Sequence, residues 1–387
     1  MKARLWTAVG ILAALALLAL VAIPVVRASD WANTSRGIAA APAEPGLAPL
    51  PETPRRLWAA PGSPPGSGTP VAGGTVVVAG PHRIEGREPG TGATRWYYER
   101  RNVTLCDWTI RDGVVFAAYR KAAGCRDLVA LNAGTGARLW YRNAELPADV
   151  RLSAIPGVLV AADRSGLTTL DTGGGLNRWT YTPSGCTLST PVLGDQGVAV
   201  LSWCAGQPEP QVVLLGAFDG KQKWARPAPG DLPRILAADH EVSVLAVPAV
   251  PAVPAHDPVI TQYDAGGRQV SALTSPKLSY VDPARAGAVV HSGLLLGWTG
   301  SELFAVAQAS DRLLWTVGGT GPVGGGQGDA VLPSAVGLVE LDLATGRTRR
   351  TLPLPSDGPS GAGQPVAIGR TGALVVLAGP GGTVVYG

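Results

Sequence analysis

The sequence predicts an all-β fold: an eight-bladed β-propeller of four-stranded antiparallel blades, preceded by an N-terminal transmembrane helix. Three observations predict it. Gly 52 and Pro 34 make up about a fifth of the 387 residues, only 16% are charged and Met occurs once, which describes a chain of short strands and many turns. A short motif ending in tryptophan recurs along the chain. Between its copies the same four apolar runs return, separated by turn residues.

The first element is the uncharged run Leu5–Val26, 22 residues long. It is long enough to cross a bilayer as a helix and longer than the usual secretory h-region. Lys2 and Arg4 make residues 1–4 a cytoplasmic stub. A second reading of the same segment is a cleaved signal peptide, because "VRA" before Ser29 has the look of a small-residue cleavage site. Both readings place the chain downstream of this segment outside the cytoplasm. The expected location is thus the cell membrane, single-pass with an extracytoplasmic C-terminal domain, or secreted if the segment is cleaved. Residues 27–56 ("APAEPGLAPLPETPRR" among them) lack strand periodicity and read as a Pro/Ala-rich linker standing the domain off the membrane.

The propeller is expected over residues 57–387. Its ruler is the tryptophan slot: Trp58, Trp96, Trp140, Trp179, Trp224 and Trp315, with Ser271 and Arg350 in two copies that have lost the indole. Successive spacings are 38, 44, 39, 45, 47, 44 and 35 residues. In the unit Thr104–Tyr141, "TLCDWTI", "VVFAAY", "RDLVALN" and "ARLWYR" are the four strands, with "RDG" and "AGTG" as tight turns. One such blade cannot bury both faces, but a ring of them can, and the tryptophans are the large apolar pieces expected to dock each blade on the next. The C-terminus supplies three strands and stops, whereas "RRLWAAP" is a lone fourth strand, so Leu57–Ala59 is expected to close the ring and cover two open edges. Eight slots give eight blades; the glycine-rich stretch "GGTGPVGGGQGD" leaves seven as the alternative count.

The segment "ALNAGTGARLW" has the glycine pair of a phosphate loop, but it leads into a short strand and not into a helix. It resembles instead the docking motif of quinoprotein-type (PQQ-like) propellers, Ala-x-Asp-x-x-Thr-Gly-x-x-x-Trp. Ala130, Thr135, Gly136 and Trp140 match, with Asn132 in place of the Asp. Asp171, Gly175 and Trp179 match in the next blade, and Asp342, Thr345 and Gly346 in blade 7. Asp311 at a glycine slot and the lost tryptophans are departures. The resemblance implies the fold over nearly all of the chain after Leu57. Active quinoprotein dehydrogenases typically carry adjacent cysteines, calcium-ligating acids and a catalytic Asp. No two cysteines are adjacent here and no CxxCH haem site is present, so no cofactor is expected.

Four cysteines outside the cytoplasm should be oxidised. Cys106 opens the first strand of blade 2 and Cys125 is placed in its second-to-third-strand loop. Cys186 opens the first strand of blade 4 and Cys204 ends its second. The expected pairs are Cys106–Cys125 and Cys186–Cys204. His82, His240, His256 and His291 are scattered, and there is neither GxSxG nor HExxH, so no catalytic or metal site is assigned. Asn33-Thr34-Ser35 and Asn102-Val103-Thr104 match the glycosylation sequon, which a bacterial-looking composition discounts. Net charge +4 is too small to imply nucleic acid.

The unusual insertions, Ala246–Pro258 and Ala205–Gln211, both join second to third strands, as do the stapled regions. These loops open on one face of a propeller, and a polyproline-like tract on a rigid rim docks partners at low entropic cost. The expected function is a membrane-anchored, monomeric binding or scaffold module for protein or cell-envelope partners. It resembles in architecture the propeller that helps assemble outer-membrane β-barrels. The alternative is a ligand-binding or enzymatic propeller with a site in the central channel, which requires polar groups converging on the axis.

Overall fold

The computed structural model describes residues 29–387 except 67, 122–123, 145, 147–148, 231, 247–256, 275–286, 292, 300–301, 309, 311, 320, 327–328, 335–336 and 355–366. The expected stub 1–4 and membrane or signal segment 5–26 lie outside the described residues, as do His256, Asp311 and most of the Ala246–Pro258 insertion. Among the described residues no helix is long and apolar enough to cross a membrane.

Eight antiparallel sheets follow one another as the blades of the propeller. Blade 1 holds Val71–Ala72, Thr75–Ala79, Arg83–Arg87 and Thr94–Arg100. Blade 2 holds Thr104–Arg111, Val114–Lys121, Gly124–Asn132 and Arg138–Asn143. Blades 3 to 7 repeat the pattern to Leu352. Blade 8 takes Ala367–Thr371, Leu374–Gly379 and Gly382–Tyr386 from the C-terminus and its outermost strand, Arg56–Ala60, from the start of the domain. That strand pairs antiparallel with Gly382–Tyr386, Ala60 opposite Thr383. The ring thus closes through hydrogen bonds between the two ends of the domain.

There is no single core. The buried apolar side chains fall into eight clusters, each straddling two consecutive blades. Trp96, Ile84 and Val77 of blade 1 meet Trp108, Val115 and Leu131 of blade 2. The closure seam is the leanest: Ala60, Val76, Val78, Val376 and Val385 are its fully buried members. Strand alternation sends one set of side chains to each neighbour, which is why a blade needs a blade on both sides.

The tryptophan motif is a socket and plug. In Asn132–Gly136 the Asn132 side chain accepts hydrogen bonds from the Gly134 and Thr135 amides (3.1 and 2.9 Å) and Gly136 N–H returns to Asn132 O at 2.8 Å. Gly136 has φ +72°, and a Cβ there would stand 2.7 Å from the Trp96 ring of the preceding blade. Trp96 is fully buried, and its indole N–H donates to Ala133 O at 2.7 Å. Trp58, Trp140, Trp179 and Trp315 make the same bond to Pro89, Thr172, Ala217 and Leu343 at 2.8–3.0 Å. Trp224 seats on Gly267 but its buried N–H has no partner. Its socket is one residue shorter: Gly267 N–H closes on Asp264, three residues back, whereas Gly136 closes on Asn132, four back.

Of the expected linker 27–56, the described residues 29–56 are laid against the propeller. Ser29 caps a single helical turn, Asp30–Asn33. Thr34–Gly37 then adds a fifth strand outside blade 1, with Thr34 opposite Arg100 and Gly37 opposite Tyr97. The chain continues across the opposite face, where Ala39 N–H bonds Thr135 O in blade 2 and Ala48 N–H bonds Gly372 O in blade 8. Leu50 is 2% exposed, within the core between blades 7 and 8. Absence of periodicity misled here because four residues laid on an existing sheet edge need no pattern of their own. Cys125 likewise lies in a strand, Gly124–Asn132, and not in a loop.

Candidate functional site

Two polar regions and one rim were open as sites: the axis, the outer edges of the blades, and the face carrying the second-to-third-strand loops. At the axis, the segment between Ala60 and Val71 lies along the inner strands. Gly66 N–H donates to Trp108 O at 2.7 Å and Trp108 Nε1 donates to Ser63 O at 3.1 Å. A Cβ on Gly369 of blade 8 would stand 2.7 Å from Val71 Cγ2. This loop stands where blade 1 has almost no inner strand. Asp107 is buried beside it and accepts from Leu152 N–H of blade 3 at 2.7 Å. Burial pushes its carboxyl up, against the backbone hydrogen bonds from Leu152 and Trp108 and the charge of Arg151. The carboxylate thus joins two blades and a loop, and is committed to the fold.

On the loop face the cysteines are joined as Cys106–Cys125 and Cys186–Cys204, and no free cysteine occurs among the described residues. Cys186 and Cys204 are register partners on adjacent strands. The bridge fixes the start of the turn after Cys204, which is tied further by Ala205 N–H to Gly185 O at 2.9 Å. Trp203 stands beside it, 41% exposed.

The N-terminal turn reaches the same face. Arg100, 1% exposed, ends the fourth strand of blade 1. It contacts Asp127 of blade 2 at 2.6 Å and Asp30 at 3.2 Å, and lies over the Tyr119 and Tyr141 rings at 5.5 and 5.6 Å. Tyr141 donates to Asp127 at 2.7 Å. Asp30 also receives Lys121 at 2.6 Å and Asn102 at 3.0 Å. Two cations and two carboxylates cancel: Arg100 and Asp127 are buried, where a lone charge is costly, and Lys121 and Asp30 form the half-exposed end of the cluster. Burial works against the Asp30 charge, but the hydrogen bonds from Lys121 and Asn102 and the charge of Arg100 outweigh it and hold the carboxyl below its usual range. Burial and Asp127 push the Tyr141 hydroxyl well up, so it donates at any ordinary pH. Trp31, next to Asp30, is 85% exposed.

Beside this cluster opens a cleft of about 400 Å³. Its base is Asp30 and Arg100, its walls are Thr34, Arg36 and Tyr98 on one side and Arg138 and Tyr141 on the other, and Trp31 stands at its mouth. Arg36 and Arg138 are exposed and have no ion-pair partner among the described residues.

Of the histidines, His82 Nδ1 lies 2.6 Å from Val103 O and His240 faces Glu241, while His291 Nε2 is buried without a hydrogen-bond partner; they are not brought together. Among the described residues no group of three or more His, Cys, Asp or Glu side chains could hold a metal ion. The cleft is aromatic at its mouth and cationic on its walls. Sequence reasoning misses it because Thr34–Gly37 has the composition of a linker. The usable signal is Asp127 inside the apolar strand "RDLVALN" and Arg100 ending "RWYYER": buried charges of opposite sign, each needing the other.

A family model described as "Outer membrane protein assembly factor BamB" matches residues 48–185 and 130–351. Among solved structures, BamB from Moraxella catarrhalis is 14% identical over 86% of this chain and 99% of its own, with a TM-score of 0.52. The computationally designed Ika8 protein is 13% identical over 89% of this chain and 99% of its own, TM-score 0.55. The dihydro-heme d1 dehydrogenase NirN, in complex with DHE, is 13% identical over 83% of this chain and 78% of its own, TM-score 0.53. At these identities the likeness shows the fold. No curated protein sequence matches the chain.

Proposed function

The chain belongs to the PQQ-like propeller family described as outer membrane protein assembly factor BamB, and from that premise we propose an extracytoplasmic scaffold that docks protein partners of the cell envelope on its loop rim. The observation that carries this reading is the pair Trp31 and Trp203, exposed by 85% and 41% on the face that both disulfides brace. An indole left in water gains by being covered, and tryptophan is enriched among the residues that dominate protein interfaces. A rim already held by cross-links loses little further freedom when a partner lands.

The run Leu5–Val26 holds the domain at the membrane in this proposal. Three residues separate Val26 from Asp30, which is pinned to blade 1. An uncleaved anchor therefore keeps the Trp31 rim within about 14 Å of the bilayer surface, the span of four extended residues. The experiment is photo-crosslinking in cells from probes at positions 31, 203 and 218. Phe218 is 60% exposed on the opposite face, against Gly157. Positions 31 and 203 are expected to capture one repeatable envelope protein and position 218 none. Equal capture from all three, or none from the rim, refutes the proposal.

A further inference from the structure

We propose that the cleft between blades 1 and 2 receives an extended acidic segment of a partner protein, which pairs as a fifth strand with Arg138–Asn143 of blade 2. The starting point is the strand Thr34–Gly37. Thr34 faces Arg100 and Arg36 faces Tyr98 in register, so period-2 alternation puts these four side chains on one face of blade 1. Ser35 and Glu99, bonded to each other at 2.8 Å, occupy the other face. Blade 1 is thereby one strand wider than blade 2 and forms a shelf beyond it.

Arg138–Asn143 is the outermost strand of blade 2, paired on one side with Gly124–Asn132 and with no strand among the described residues on the other. Its free edge presents backbone donors and acceptors, the usual template for strand addition. Every outer strand has such an edge, but among the described residues only this one faces a shelf. An added strand would hydrogen-bond to Arg138–Asn143 and rest its alternate side chains on Thr34 and Arg36, with the buried Tyr98 beneath them.

Charge selects the occupant. The charges at the cleft base cancel, whereas Arg36 and Arg138 on its two walls have no ion-pair partner among the described residues. Carboxylates on one face of the incoming strand would meet both guanidiniums. Trp31 at the mouth would cover the strand end.

The inference rests on the scaffold reading and specifies its partner's shape and charge. The test uses the full-length chain in nanodiscs and a blocked octapeptide alternating Glu and Val, titrated by fluorescence anisotropy. Controls are the Lys/Val counterpart and a Glu/Val peptide N-methylated at alternate amides. The Glu peptide is expected to bind, the Lys and N-methylated peptides to lose at least about tenfold, and Arg36→Glu with Arg138→Glu to lose about as much. Hydrogen exchange at Arg138–Asn143 should slow in the complex. No binding at about 1 mM peptide, or binding indifferent to N-methylation or to the charge reversals, overturns the proposal. So does capture of anionic vesicles in place of the peptide by the wild-type cleft, lost in Arg36→Glu. If crosslinks from position 203 persist while the peptide fails, the groove proposal falls alone; if both fail, the scaffold reading falls with it.

Discussion

At the scale of single residues, the repeat motif works because a hydrogen bond and a steric seat are made by neighbouring blades. Trp96→Phe removes one of the two side-chain hydrogen bonds that Ala133 O accepts, the other coming from Thr75 Oγ1 at 2.8 Å, whereas Trp224→Phe removes a donor that already has no partner. Trp96→Phe is therefore expected to be the costlier by about 1 kcal/mol, the net worth of one hydrogen bond, read as the difference in urea midpoints at equal m. Gly136→Ala places a methyl at φ +72° against the Trp96 ring and should cost about 1–3 kcal/mol. Asp127→Asn leaves the buried Arg100 charge with Asp30 alone and should cost about 3–5 kcal/mol by the same measurement. The tryptophans and glycines were legible in the sequence because the same local chemistry recurs at six of the eight slots. Arg100 and Asp127 each stand out as a charge in an apolar strand, but their pairing was not legible, because nothing local marks two residues of different blades as partners.

At the scale of elements, the fifth strand and the disulfides brace the same face by different means. The Asp30 latch has a pH sign. Its carboxyl in the fold lies below its usual value, so its contribution is present above the unfolded pKa and is lost as pH falls through the lower folded value. Protection of the Thr34–Gly37 amides should therefore hold across neutral pH and fail only in acid, below about pH 4. Asp30→Asn should expose them at pH 7 without unfolding the ring, as hydrogen exchange would report. Replacing Cys186 and Cys204 by alanine frees a loop of 18 residues and should cost about 3 kcal/mol in thermal or urea unfolding. The Pro/Ala stretch misled at this scale. A strand added to an existing edge borrows its hydrogen-bond partners and its register from the blade, so composition alone could not reveal it.

At the scale of the whole molecule, the closure seam between blades 8 and 1 has the leanest core, and the chain compensates by crossing it twice. Arg56–Ala60 closes blade 8, and residues 38–55 run from blade 2 past blade 1 to blade 8. Removing residues 1–60 uncovers the edge Gly382–Tyr386, a run of β-forming residues. The full domain is expected to be monomeric by light scattering, and the truncated one to associate; a monomeric truncated ring would refute the role given to the closing strand. By itself the sequence pointed to eight blades, with seven as the alternative, and to their strand order, the closing strand and the cysteine pairs, because each follows from a local pattern repeated every 35–47 residues. Only the tertiary structure decided that the expected linker is a fifth strand and a strap, that a loop stands along the axis, and that Arg36 and Arg138 share one cleft. These depend on contacts between residues about 50 to 320 positions apart, such as Asp30 with Arg100 and Ala48 with Arg370. No local period encodes such contacts, and only the closed ring brings them within reach.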